Sequence, residues 1–142
     1  MQSMEIEIPL WLQGRILPDS LSLQILDTNQ HVLFSSSGKW LHPLFEAESF
    51  IKENRLSATD LILHDRIAGR AAAALAVHIG FKAVRVSLMS RLAQSVYIRY
   101  GVPYSADVLV DRIACRTEDL IDDTMTLGEI YCLLSERAGR VG

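Results

Sequence analysis

The sequence predicts a three-layer α/β/α sandwich on a mixed sheet, and three observations carry that prediction. Leu21, Leu23 and Ile25 alternate with Ser22 and Gln24, and after Asp27-Thr28-Asn29-Gln30 a second run carries Val32 and Phe34, the pattern of a hairpin. Beyond it, apolar runs of strand length alternate with helical periods through to the last helix. Between them lies Asp60 to Ala74, where a short apolar run, Leu61-Ile62-Leu63, leads through His64-Asp65-Arg66 into an alanine-rich helix. Alternation of this kind after a hairpin packs helices on both faces of a mixed sheet.

Residues 1–20 read as an N-terminal arm and 21–142 as one domain, a length sufficient for a real core. In the arm, Met4, Ile6 and Ile8 alternate with Glu5 and Glu7, and Pro9 to Leu17 predicts a brief helix broken at Gly14. Pro43 falls in the first turn of a helix that buries Leu41, Leu44, Phe45, Phe50 and Ile51 and ends near Asn54. In the central helix Ile67, Ala71, Leu75 and Ile79 form one row and Ala68, Ala72 and Ala76 the next, closed by Gly80 in a left-handed cap. Ala83 to Leu88 is the next strand, with Val84 and Val86 on one side and Arg85 and Ser87 on the other. Ser90 caps a helix that turns Leu92, Val96 and Tyr100 inward and closes at Gly101. Pro103 opens onto a strand at Ala106 to Val110, followed by a second polar corner and a short helix from Thr117. Thr126-Leu127-Gly128-Glu129 is a capping box for a last helix that ends at Gly139.

Composition excludes several classes. The apolar fraction is 49%, the net charge −3 and the mean hydropathy +0.19, with no block of like charges, so the basic face of a duplex nucleic-acid binder is absent. Cys115 and Cys132 have neither the number nor the spacing of a disulfide framework or a four-ligand zinc site. No run reaches membrane-spanning length and the start lacks a signal pattern, so a cytoplasmic, non-membrane protein is expected. This much apolar side chain in a small domain predicts a homo-oligomer.

Polar groups gather at two corners. A strand feeding a helix places them at the carboxyl edge of a sheet, where α/β folds bind ligands. At the first corner, His64, Asp65, Arg66, Gly69 and Arg70 are the candidate binding residues; at the second, Arg112, Arg116 and Glu118. Guanidiniums four residues apart at each corner, beside two helix starts, suit a phosphate or carboxylate. Each residue also has a structural reading. Asp65 suits an N-cap for the helix from Ile67, His64 a half-buried strand end, Gly69 and the alanines helix–sheet packing, and the arginines surface ion pairs. Cys115, before a helix start and beside Arg116, is a candidate nucleophile, or else a small apolar side chain at a strand end. Cys132, beside Leu133 and Leu134, reads as packing.

The hairpin, His42-Pro43-Leu44-Phe45, the segment Asp65 to Ala73 and Cys115-Arg116-Thr117-Glu118 together resemble a small prokaryotic family of uncharacterised domains with a cytidine-deaminase-like fold. The resemblance spans Leu21 to Asp122, and Asp-x-x-x-Gly-[Lys/Arg]-Ala-Ala is its most specific part. It implies a fold and the position of a pocket; no activity is established for the family. Trp40 stands where the family usually has glycine, three residues before the proline, and the loop before Cys115 is shortened to Ile113-Ala114. Zinc deaminases carry an H-x-E and P-C-x-x-C signature. Arg66 replaces the glutamate here and Glu118 the second cysteine, leaving His64, Cys115 and Glu118 as a mixed set with Asp65 as the only nearby proton shuttle. The expected function is therefore binding of an anionic or nucleotide-like small molecule, without metal or cofactor. The alternatives are an enzyme, using Cys115 or a degenerate zinc site, and a homo-oligomeric interaction protein with no ligand.

Overall fold

The hairpin forms where alternation placed it. Strands β1 (Leu23–Asp27) and β2 (Val32–Ser36) pair antiparallel. The Asp27 carboxylate closes the turn by accepting from the amides of Asn29 at 2.8 Å and His31 at 2.9 Å. These elements belong to a computed structural model that describes residues 8–113 and 120–139. β1 also pairs antiparallel with β3 (Leu61–Ala68), which runs parallel to β4 (Ala83–Ser90), itself parallel to β5 (Tyr104–Val110). The five-stranded mixed sheet has the order β2-β1-β3-β4-β5.

The helices are α1 (Leu10–Gln13), α2 (His42–Glu53), α3 (Arg70–Ile79), α4 (Arg91–Arg99) and α5 (Leu127–Arg137), with a 3-10 turn at Ala58–Asp60. Leu23, Ile25, Leu63, Val84 and Val86 share one core with buried side chains of α2 to α5. Every residue from Ala71 to Ala76 is buried, because short side chains let α3 run close to β3 and leave room for neighbouring helices. Gly80 ends α3 at φ 103, the expected left-handed cap, and Thr126 and Glu129 complete the expected capping box. On the opposite sheet face Leu26, Ile62 and Ala83 pack with Ile8 and Leu12. The cover on that face is the N-terminal segment with its single-turn helix.

Two local expectations are corrected. The expected corner at His64-Asp65-Arg66 is strand: β3 continues to Ala68, and α3 begins at Arg70 rather than Ile67. Parallel pairing with β4 persists through Ile67↔Leu88 and Ala68↔Met89, so the ladder carries the polar side chains along. Ile67, expected at the head of the helix row, is instead 47% exposed, and Asp65 is not an N-cap. In α4 the buried pair is Ala93 and Tyr97; Leu92 and Val96 are half-buried and Tyr100 is exposed. The apolar stripe is rotated by one residue because the Tyr97 ring, stacked on Tyr104 at 5.8 Å, fills the space under the helix.

Candidate functional site

The carboxyl ends of β3, β4 and β5 lie at one edge of the sheet, since the three strands are parallel. A cavity of about 330 Å³ opens there between the loop leading into α2 and the junction of β3 with α3. Asp65 and Gly69 form part of its lining, Trp40, Pro43, Leu44 and Ile67 contribute apolar walls, and Ile113 joins from the chain after β5. The bends after β3 and β5 thus contribute to one cleft. Neither α2 nor α3 has a side-chain N-cap bond, and residues of both first turns line this cavity together with Lys39.

Trp40 reaches the cavity from a strained backbone, with φ 58 in the left-handed region that favours glycine over bulky residues. Its ring meets the His42 ring edge-on at 5.2 Å.

Asp65 is the polar feature of this cavity with the clearest chemistry. It is 8% exposed, and burial raises its carboxyl to a pKa of about 7, against the lowering effect of the Arg66 and Ile67 amides. Near neutral pH such a group is a protonated donor about as often as a carboxylate acceptor. Tyr97 lies behind it, fully buried, its hydroxyl pushed up by burial and by the Asp65 charge and lacking a partner among the described residues.

The arginines do not converge on this cavity. Arg66 lines it but is committed elsewhere: its Nε donates to the Leu21 carbonyl at 2.8 Å and Nη2 to the Pro18 carbonyl at 2.6 Å. Arg70 donates to the Ile121 carbonyl and lies 4.0 Å from Asp123. It shares a separate cleft with Arg112, where Asp111, Asp122 and Asp123 answer the positive charge. Cys115, Arg116 and Glu118 lie outside the described residues. Cys132, expected as packing, is exposed on α5.

His64 is on the other face of β3. It is fully buried, and its Nδ1 lies 2.6 Å from Nη1 of Arg15, so it does not share the cleft with Asp65. A mixed metal set built on His64 at that cleft therefore lacks its first ligand. Burial, then the charges of Arg15 and Arg85, lower His64 to a pKa of about 3. Strand register sets it in a polar row across all five strands: Ser35, Gln24, His64, Arg85 and Ser105 are successive partners. Arg85, 2% exposed, pairs with Asp107 and donates to Ser105 Oγ at 3.1 Å. Sequence reasoning missed this row, since polar residues alternating with apolar ones ordinarily mark a solvated face.

Neither a family profile nor a curated protein matches the sequence. Among solved structures, the fold is similar to the crystal structure of a DUF1893 family protein from Thermotoga maritima, with a TM-score of 0.71 and 20% identity over 82% of this chain and 80% of that one. At that identity the likeness is one of fold. Among the described residues no helix is long and apolar enough to cross a membrane, and no group of three metal-ligating side chains occurs. What these findings establish is a mixed α/β protein, its five-stranded sheet flanked by helices, similar in fold to a DUF1893 structure.

Proposed function

We propose that the cavity between α2 and α3 binds a small molecule with a planar heterocycle and an anionic group, nucleotide-like in its chemistry. The carrying observation is a buried, near-neutral carboxyl, Asp65, set among apolar walls that include the Trp40 indole. A flat ring gains from the indole and aliphatic walls, while a carboxyl able to donate or accept matches the polar edge of a heterocycle. Two helix N-termini without side-chain caps, beside Lys39, favour the anionic part. The cavity volume falls in the lower part of the range for small-molecule sites. The cytidine-deaminase-like reading of the fold belongs to this proposal, supported by the mixed sheet and by the placement of the cavity where β3 feeds α3.

A thermal-shift series with bases, nucleosides, nucleotides and inorganic phosphate tests the reading. A ligand at one hundred times its Kd adds about 2.7 kcal/mol, which raises Tm by roughly 5–10 °C for a chain of this size. The shift is expected with a nucleotide, smaller with the base alone, and lost in Asp65→Leu. If no heterocyclic compound shifts Tm, or if the shift survives both Asp65→Leu and Trp40→Ala, the assignment fails.

A further inference from the structure

We infer that residues 8–17 form a strap over the second face of the sheet, and that acid releases it through protonation of His64. Three buried apolar side chains, Ile8, Leu12 and Leu17, hold the strap. Ile8 and Leu12 join Leu26, Ile62 and Ala83 in a small cluster flanked by Trp11, separate from the main core. Its polar anchors concentrate at Arg15. The guanidinium bonds to His64 Nδ1 at 2.6 Å and to Gln24 Oε1 at 2.7 Å, and the Arg15 carbonyl accepts from Arg85 Nε at 3.3 Å and Nη2 at 3.2 Å.

This arrangement fixes the protonation state of the imidazole. Guanidinium nitrogens only donate, so Nδ1 of His64 must offer its lone pair, and the ring proton must sit on Nε2. That nitrogen has no partner among the described residues. A second proton would place an N–H against the Arg15 N–H, removing the bond and setting two cations together. The surrounding charges do not relieve this. Arg15 from the strap, Arg66 from β3 and Arg85 from β4 all oppose protonation, and Gln24 from β1 is neutral. Asp107 of β5 favours it, but that carboxylate is already paired with Arg85. Relief comes by lifting Arg15 away, which would uncover the Gln24, His64 and Arg85 segment of the polar row. The deep burial that lowers His64 exists only with the strap in place, so opening is coupled to proton uptake.

Hydrogen exchange of the strap peptide, measured by mass spectrometry from pH 7.5 to 4.5 and corrected for intrinsic chemistry, tests this, with far-UV circular dichroism as the control for global folding. Exchange of residues 8–17 should rise by up to about tenfold per pH unit below about 6.5 while the dichroism stays constant. His64→Gln, which can still accept from Arg15, should abolish the pH dependence. Arg15→Gln, which removes the opposing cation, should weaken it. The inference is overturned by flat corrected exchange in the wild type, by an equal rise in His64→Gln, or by a rise that only tracks loss of dichroism. None of these outcomes bears on the cavity between α2 and α3.

Discussion

His64 and Asp65 are adjacent in β3 and point to opposite faces of the sheet, one held as a neutral imidazole under the N-terminal segment, the other as a near-neutral carboxyl beside the cavity. Their titrations act on folding with opposite signs. The His64 pKa is depressed from 6.5 to about 3, so its contribution is intact above pH 6.5 and is lost as pH falls toward 3. The Asp65 pKa is raised from 3.8 to about 7, so its contribution is intact below pH 3.8 and is lost as pH rises through 7. Between pH 3.8 and 6.5 the two slopes oppose each other. Urea melts across that window should show stability varying less in the wild type than in either variant. Asp65→Asn should become more stable with rising pH, and His64→Gln less stable. Parallel pH profiles for the two variants would refute this opposition.

Trp40 separates backbone strain from side-chain contact. A left-handed conformation at a non-glycine residue costs on the order of 1–2 kcal/mol. Trp40→Gly relieves it but loosens the unfolded chain and loses the ring, whereas Trp40→Ala loses the ring and keeps the strain. The glycine variant should be more stable than the alanine variant by about 1 kcal/mol in denaturant unfolding. Both should lose ligand-induced stabilisation, because the indole is a wall of the cavity.

The Arg85–Asp107 pair should respond unequally to removal of its members. Arg85 is buried and Asp107 is 49% exposed at the side chain. Removing the carboxylate in Asp107→Ala leaves a buried guanidinium without its counter-charge, expected to cost roughly 3 kcal/mol. Arg85→Met leaves a carboxylate that water can reach and fills the space with an apolar chain, but it also removes the bonds to Ser105 Oγ and the Arg15 carbonyl, so its cost should be about 2 kcal/mol, still below that of Asp107→Ala. Chemical denaturation of the two variants decides the order, and equal losses would contradict the burial argument.

Tyr97 offers a simpler check on the surroundings of Asp65. Its buried hydroxyl has no hydrogen-bond partner among the described residues, so Tyr97→Phe removes an unsatisfied polar group without opening a void. Stability should stay within about 1 kcal/mol of the wild type or rise. A loss of 2 kcal/mol or more would mean that the hydroxyl is bonded, with Asp65 the nearest candidate.

Local chemistry made much of the fold legible. The β1–β2 hairpin, the Gly80 cap, the Thr126 capping box and the order of helices and strands all follow from residues close together in sequence, because turns, caps and periodicity are short-range effects. The placement of polar groups was not legible in this way. Whether Asp65, His64 or Arg85 is solvated or buried depends on partners tens of residues away. Arg15 meets His64 across 49 positions, and Arg85 reaches the Arg15 carbonyl across 70. The sequence by itself determined a strand–helix junction rich in ionisable side chains. Only the tertiary structure decided which of them face the cavity and which lie beneath the N-terminal segment, since strand alternation sends neighbours to opposite faces and the cover on each face comes from distant chain.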